Sequence, residues 1–124
     1  VARTSPYDTG ELTDVMLIVL LCTQQPTHGY SLMTKASRIT DGSMTLGPAT
    51  IYTTLARMLE VGWIEEIPAT QSSDHKPSEK DRREYLITPL GQEILHNDIE
   101  RRRQLLAAAD AFTANFALGS QKKG

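Results

Sequence analysis

The sequence predicts a mainly α chain with a small β-hairpin and a long C-terminal helix. Three observations carry this. Apolar residues recur at helical spacing in three segments before residue 62 and in one after residue 88. Two short runs rich in β-branched and aromatic residues, Trp63–Ile67 and Glu84–Ile87, read as paired strands. The segment Ala69–Arg83 between them holds no apolar side chain larger than Ala or Pro, which suits a mobile hairpin tip.

The first helix is expected from about Gly10 or Glu11 to Thr23, capped by Thr9 and stopped at Gln24-Gln25-Pro26. Its apolar residues cover nearly the whole circumference, so protein must surround it on most sides. A second subunit is the expected source of that cover. A second helix is expected to begin at Thr27 or His28, bury Tyr30, Leu32, Met33, Ala36 and Ile39, and end near Thr40-Asp41-Gly42. Pro48 at a first-turn position opens a third helix with Ile51, Leu55, Met58 and Leu59 on its buried stripe. Ala49, Thr50, Thr53, Thr54 and Arg57 are expected to face away from it. That outward face is small, hydroxyl-rich and cationic, and no acidic residue occurs from Gly42 to Leu59, so something negative is expected to approach there.

Gly62 ends the third helix, and Pro68 stops the first strand of the hairpin. Thr88 caps a last helix that starts at Pro89 and runs to about Leu118. In it, Leu105, Ala109, Phe112 and Phe116 are spaced by four, three and four residues, a heptad-like pattern suited to packing against another helix. Arg101-Arg102-Arg103 point about 100° apart around a helix and make no common face. Pairing with Asp98 or Glu100 is expected instead.

Composition narrows the function classes. The chain has 124 residues, enough for one domain-sized core, and is 40% hydrophobic and 23% charged. Its single cysteine, Cys22, lies in an apolar run and excludes an internal disulfide or a cysteine-rich zinc site; a buried core thiol is expected. His28, His75 and His96 show no metal-ligand spacing, and His28 reads as a backbone-bonding residue at a helix start. No metal or cofactor is expected, and no phosphate loop, nucleophile elbow or carboxylate pair points to an enzyme. The longest apolar run, Val15–Cys22, has eight residues against roughly 18 for a membrane span. A reducing cytoplasm is the expected location, with no membrane partner. The absence of a methionine before Val1 is expected of a trimmed or engineered start, so no weight falls on the first few residues.

Three helices, a two-stranded hairpin and a final helix form the element order of a winged helix-turn-helix, in which the third helix enters the DNA major groove and the hairpin lies on adjacent backbone. An inserted helix must be slim, and Pro48, Ala49, Thr50 and Thr53 make it so. Tyr52 can pack its ring while its hydroxyl reaches a phosphate. Tyr30, Lys35 and Arg57 are candidate backbone contacts, and Lys76, Lys80 and Arg82 place cations on the wing. Arg83 can pair instead with Glu84 or another carboxylate. These positions would supply locally the basic surface that a net charge of −2 conceals. Leu12, Val15, Met16, Val19, Leu95, Ile99, Leu105, Leu106, Ala109, Phe112 and Phe116 are the candidate dimer interface.

Four sequence blocks also resemble the PadR family of bacterial transcriptional regulators. They are His28-Gly29-Tyr30, Pro48 to Tyr52 (Pro-Ala-Thr-Ile-Tyr), Leu55 to Ile64, and Arg82 to Gly91 followed by Leu95. The match covers about residues 12 to 95. The resemblance implies a homodimeric winged-helix DNA binder, commonly a repressor, with its dimer built from the first and last helices. The one helix after the wing is similar to the family's short form. Ala49-Thr50-Ile51-Tyr52 stands where Gly-Thr-Leu-Tyr is usual, and Trp63 where Leu is common, as an expected anchor under the strand. No Trp or Tyr follows Tyr85, so the ligand-stacking tryptophan of some drug-responsive relatives has no counterpart.

The expected division is a winged-helix DNA-binding part over residues 1–88, including the helix at about 10–23, a C-terminal dimerisation helix over 89–119 and a tail over 120–124. Two other functions fit the residues: a dimeric protein-interaction module that never meets DNA, and a small-molecule effector site in a dimer cavity lined by Val15, Met16, Phe112 and Phe116.

Overall fold

The structure is a computed structural model and describes residues 5–68 and 83–122. Its elements are α1 (Pro6–Thr9), α2 (Asp14–Cys22), β1 (Thr27–His28), α3 (Ser31–Ile39), α4 (Pro48–Glu60), β2 (Ile64–Pro68), β3 (Arg83–Ile87) and α5 (Pro89–Lys122). Helices α2, α3 and α4 enclose the core, the antiparallel sheet β1-β3-β2 closes one side, and α5 leads away.

The amino-terminal part departs from expectation. Ser5 and Asp8 form a capping box that starts α1, and Gly10, in the left-handed region at φ 78°, ends it. Thr9 therefore closes α1, accepting the Glu11 N–H at 3.1 Å, and does not cap α2. That role falls to Thr13, whose hydroxyl accepts the Met16 N–H at 3.2 Å. An earlier start is blocked because the Leu12 N–H donates to Asp98 (3.1 Å) and its carbonyl accepts from Arg102 (2.7 Å).

Helix α2 is apolar nearly all round, and its own chain supplies much of the cover: α3, α4 and α5 pack against it and bury Met16, Ile18, Val19, Leu20 and Cys22, while Val15, Leu17 and Leu21 are only partly buried. Its end is held by Thr27, whose hydroxyl bonds the Cys22 carbonyl at 2.8 Å, and Thr27 and His28 then pair with Tyr85 and Glu84 of β3. The residues expected to begin a helix are thus a third strand, and α3 starts only at Ser31. Ile39 and Tyr30, expected on its buried side, are each 50% exposed.

Helix α4 starts at Pro48 as expected and buries Ile51, Leu55 and Met58. Thr54 joins them, against expectation, because its hydroxyl bonds the Thr50 carbonyl at 2.8 Å and reaches the core already satisfied. Gly62, at φ 78°, ends the segment, and the Trp63 N–H returns to the Met58 carbonyl at 2.9 Å. Strands β2 and β3 pair from Ile64↔Ile87 to Pro68↔Arg83. Trp63 lies buried beneath them, its ring 5.2 Å from that of Tyr7.

Thr88 caps α5 as expected, accepting the Gly91 N–H at 3.0 Å and donating to the Gly62 carbonyl at 2.6 Å. Gly91 must lack a side chain, since a Cβ there would collide with the Trp63 carbonyl. The helix has 34 residues, about 50 Å at 1.5 Å per residue, and outlasts its expected end near Leu118.

Candidate nucleic-acid interface

The start of α4 presents Pro48, Ala49, Thr50 and Thr53 to solvent, with Arg57 further along the same helix. None of the charged residues between Gly42 and Leu59 is acidic. Pro48 has no N–H to leave unbonded, and Ala49 adds only a methyl, so the helix end can approach a surface closely. Tyr52 is half-buried. Its ring lies where Gly29 leaves room: a Cβ on Gly29 would stand 2.8 Å from the Tyr52 Cε1. Gly29 follows β1 directly, so the short strand and the helix are fitted together at this point.

Tyr30 stands exposed beside α4, its ring stacked on His28 with centroids 5.8 Å apart. His28 is a strand residue and not a helix start; its Nδ1 lies 3.3 Å from the Arg83 carbonyl and its Nε2 3.9 Å from the Glu84 carboxylate. Lys35 is partly committed elsewhere, donating from Nζ to the Thr27 hydroxyl at 2.9 Å. Arg57 is likewise engaged, 5.0 Å over the Tyr7 ring and 3.7 Å from Glu60. Its side chain remains about half exposed, at 49%.

Lys76, Lys80 and Arg82, and the expected hairpin tip, lie outside the described residues. Arg83, at the foot of the wing, pairs across the strands with Glu66 at 3.3 Å. The structure adds Ser31, Thr34 and Arg38, which with Tyr30 and Lys35 line a shallow recess of about 270 Å³ on α3. Their helical spacing, at 31, 34, 35 and 38, was the available signal.

The candidate dimer residues separate into two groups. Leu12, Met16, Val19 and Leu95 are at most 5% exposed within the single chain, so they are core and have no surface to offer a partner. Val15 and Ile99 are half-buried against that core. Leu105, Leu106, Phe112 and Phe116 are 60–68% exposed, and Ala109 lies between them on α5. Met16, expected to line an effector cavity with Val15, Phe112 and Phe116, is core within the single chain.

Arg101 and Arg102 both bond Asp98, and Arg103 bonds Glu100 at 2.6 Å. The Cys22 thiol is buried; burial pushes its pKa up, against the opposing pull of Lys35. Among the described residues no cluster of His, Cys, Asp and Glu could hold a metal ion, and no helix is long and apolar enough to cross a membrane.

The sequence matches the transcriptional regulator PadR-like family over residues 16–97. No curated protein matches it in sequence. Among solved structures, a transcriptional regulator from Clostridium thermocellum is similar at 21% identity and TM-score 0.65, covering 90% of this chain and 98% of that one. A PadR-like regulator from Bacillus cereus is similar at 23% identity and TM-score 0.64, covering 80% and 90%. Bacillus subtilis PadR, solved with operator DNA, is similar at 16% identity and TM-score 0.54, covering 68% of this chain and 45% of that one. The likeness to these structures is one of fold.

Proposed function

Because the chain belongs to the transcriptional regulator PadR-like family, we propose that it binds double-stranded operator DNA as a homodimer, with α4 in the major groove and the β2–β3 hairpin on adjacent backbone. The observation that carries this is the exposed start of α4, slim, hydroxyl-bearing and without a carboxylate over residues 42–59. A helix face of that kind fits the width and charge of the groove. The fold shared with a regulator solved on operator DNA supports the same docking.

The contacts assigned to DNA are Tyr30, Pro48, Ala49, Thr50, Tyr52 and Thr53, joined by the exposed part of Arg57, the remaining donors of Lys35 and the wing cations Lys76, Lys80 and Arg82. Residues 1–88 form the DNA-binding part and 89–119 the dimerisation helix, followed by a tail over 120–124. Two copies joined through the exposed stripe of α5 would present their α4 helices to successive major grooves of a pseudo-palindromic site, about 34 Å or a multiple apart. Such a dimer acts in the cytoplasm as a repressor by occupying its operator. A small-molecule effector would release it by favouring a dimer of different spacing.

The test is a mobility shift with fragments of the upstream genomic region at roughly 50 and 200 mM salt. A saturable, sequence-selective shift is expected, weakening by orders of magnitude across that interval as counterions compete for the phosphates. Tyr52→Ala should weaken it while leaving the dimer intact. The net charge of −2 favours a second reading, a dimeric protein-docking module; no shift at either salt would move the assignment there.

A further inference from the structure

One charge cluster, centred on a buried carboxylate, plays no part in the interface above. Asp98 of α5 is 1% exposed. Its Oδ1 accepts the Leu12 N–H at 3.1 Å and both Nε and Nη2 of Arg101, at 2.9 and 2.8 Å, while its Oδ2 accepts Arg102 Nε at 2.7 Å. Arg102 reaches on to the Leu12 carbonyl at 2.7 Å and to the Asp14 carboxylate at 2.9 Å. The residues that join α1 to α2 are therefore tied to α5 by both faces of one peptide segment and by a side chain.

The position of this cluster matters. Leu95, Asp98, Arg102, Leu105, Ala109, Phe112 and Phe116 follow one another by three, four, three, four, three and four residues, so they share one stripe of α5. The stripe changes character along its length: Leu95 is buried, Asp98 and Arg102 are bonded to Leu12, and from Leu105 outward it is exposed. The cluster is the last fixed point before the helix leaves the domain.

We propose that Asp98 and Arg102 are positioning residues that set the angle of α5 against the DNA-binding part, and through it the half-site spacing the dimer accepts. This rests on the homodimer proposed above. Phe116 lies 18 residues beyond Asp98, about 27 Å along the helix, so a tilt of about 10° at the cluster displaces it by about 5 Å. One base-pair step is about 3.4 Å. A helix held there only by apolar contact would spread the two α4 helices over several registers, whereas three directional bonds from α5 to residues 12–14, one accepted by Asp98 and two donated by Arg102, hold one. Charge-bearing hydrogen bonds suit this role because they weaken steeply with geometry.

The test places a nitroxide on Ala56→Cys, an exposed α4 position, leaving the buried Cys22 unlabelled, and measures the distance between protomers by pulsed dipolar spectroscopy. The unsubstituted background is expected to give one narrow distribution. Asp98→Asn, with the helical circular dichroism signal retained, is expected to broaden it at least twofold or move its centre by about 3–5 Å. Arg102→Lys, which keeps the charge and loses the fork, should move it the same way, and Arg103→Gln, whose side chain bonds Glu100 and not the cluster, should not. Binding selection from random DNA with two half-sites should then yield one spacing for the parent and several for the two variants. Should Asp98→Asn melt below the measurement temperature, Arg102→Lys decides. Unchanged distributions in the folded variants would overturn the positioning role while leaving the dimer standing. A background protein with no dipolar signal between protomers would overturn both.

Discussion

Gly29 and Gly91 are two positions where the absence of a single carbon decides a contact. At Gly29 a Cβ would stand 2.8 Å from the Tyr52 ring, the far end of a side chain that can swing away. Gly29→Ala is therefore expected to cost at most about 1 kcal/mol of stability, at the low end of overpacking, while displacing Tyr52 and weakening the mobility shift. At Gly91 the Cβ would meet the Trp63 carbonyl and stand 2.8 Å from Ile87 Cγ1, and backbone cannot swing. Gly91→Ala should cost at least the upper part of the usual overpacking range of about 1–3 kcal/mol, read as a lowered urea midpoint. Equal losses at the two sites would contradict the distinction. Both glycines stood in sequence blocks that marked the fold, yet their physical reason was invisible there, because Gly29 meets α4 and Gly91 meets the residue before β2. Thr54 illustrates the converse. Three residues after Ile51 and four before Met58, it sits by helical spacing near the buried stripe, but a threonine reads as polar until its hydroxyl is seen to bond the Thr50 carbonyl.

Elements were legible where local signals are strong and lost where the decisive partner is remote. Pro48, Gly62 and Thr88 mark α4 and α5 through capping chemistry that acts within a few residues. The two-residue β1 has no period to detect, and it exists because Thr27 and His28 meet β3, nearly 60 residues on. The start of α2 depends likewise on Asp98, 86 residues from Leu12. The tie that Asp98 and Arg102 make from α5 to Leu12 and Asp14 has a pH signature. Burial raises the Asp98 pKa, but hydrogen bonds from Arg102, Arg101 and the Leu12 amide outweigh it and hold the carboxyl below its ordinary 3.8. A depressed folded-state value means that the stabilisation is complete above pH 3.8 and is lost as pH falls through the folded value. Asp98→Asn should lower the urea midpoint at pH 7, by up to the roughly 3–5 kcal/mol of a broken buried pair, since the amide keeps some of the bonds. The gap between variant and parent should narrow below pH ~4. A gap independent of pH would mean that Asp98 acts by shape and not by charge.

At the scale of the whole molecule the question is what the far half of α5 does. Phe112 and Phe116 are 68% and 66% exposed with their rings 5.7 Å apart, and Leu105 and Leu106 continue the apolar surface toward the domain. The heptad spacing that pointed to helix pairing was readable because it is local; that Leu12, Met16 and Val19 are covered within the single chain, while Val15 is only partly so, was not, since the cover comes from remote elements. Burying four phenylalanine rings across a two-fold pair contributes about 6–12 kcal/mol, comparable to the roughly 4–15 kcal/mol that association itself costs. The proposed pairing would therefore depend on these rings, with little in reserve. Phe112→Asp with Phe116→Asp in one chain should sediment as a monomer at micromolar concentration, and its thermal transition should match the parent extrapolated to low concentration, since neither ring touches the core. Each half-site would then be bound alone. The second contact ceases to be intramolecular, and operator affinity should fall by about 10²–10⁴-fold. A persisting dimer would move the interface off this stripe. A monomer with undiminished operator affinity would mean that one α4 and its wing suffice, and that the exposed stripe serves something other than DNA recognition.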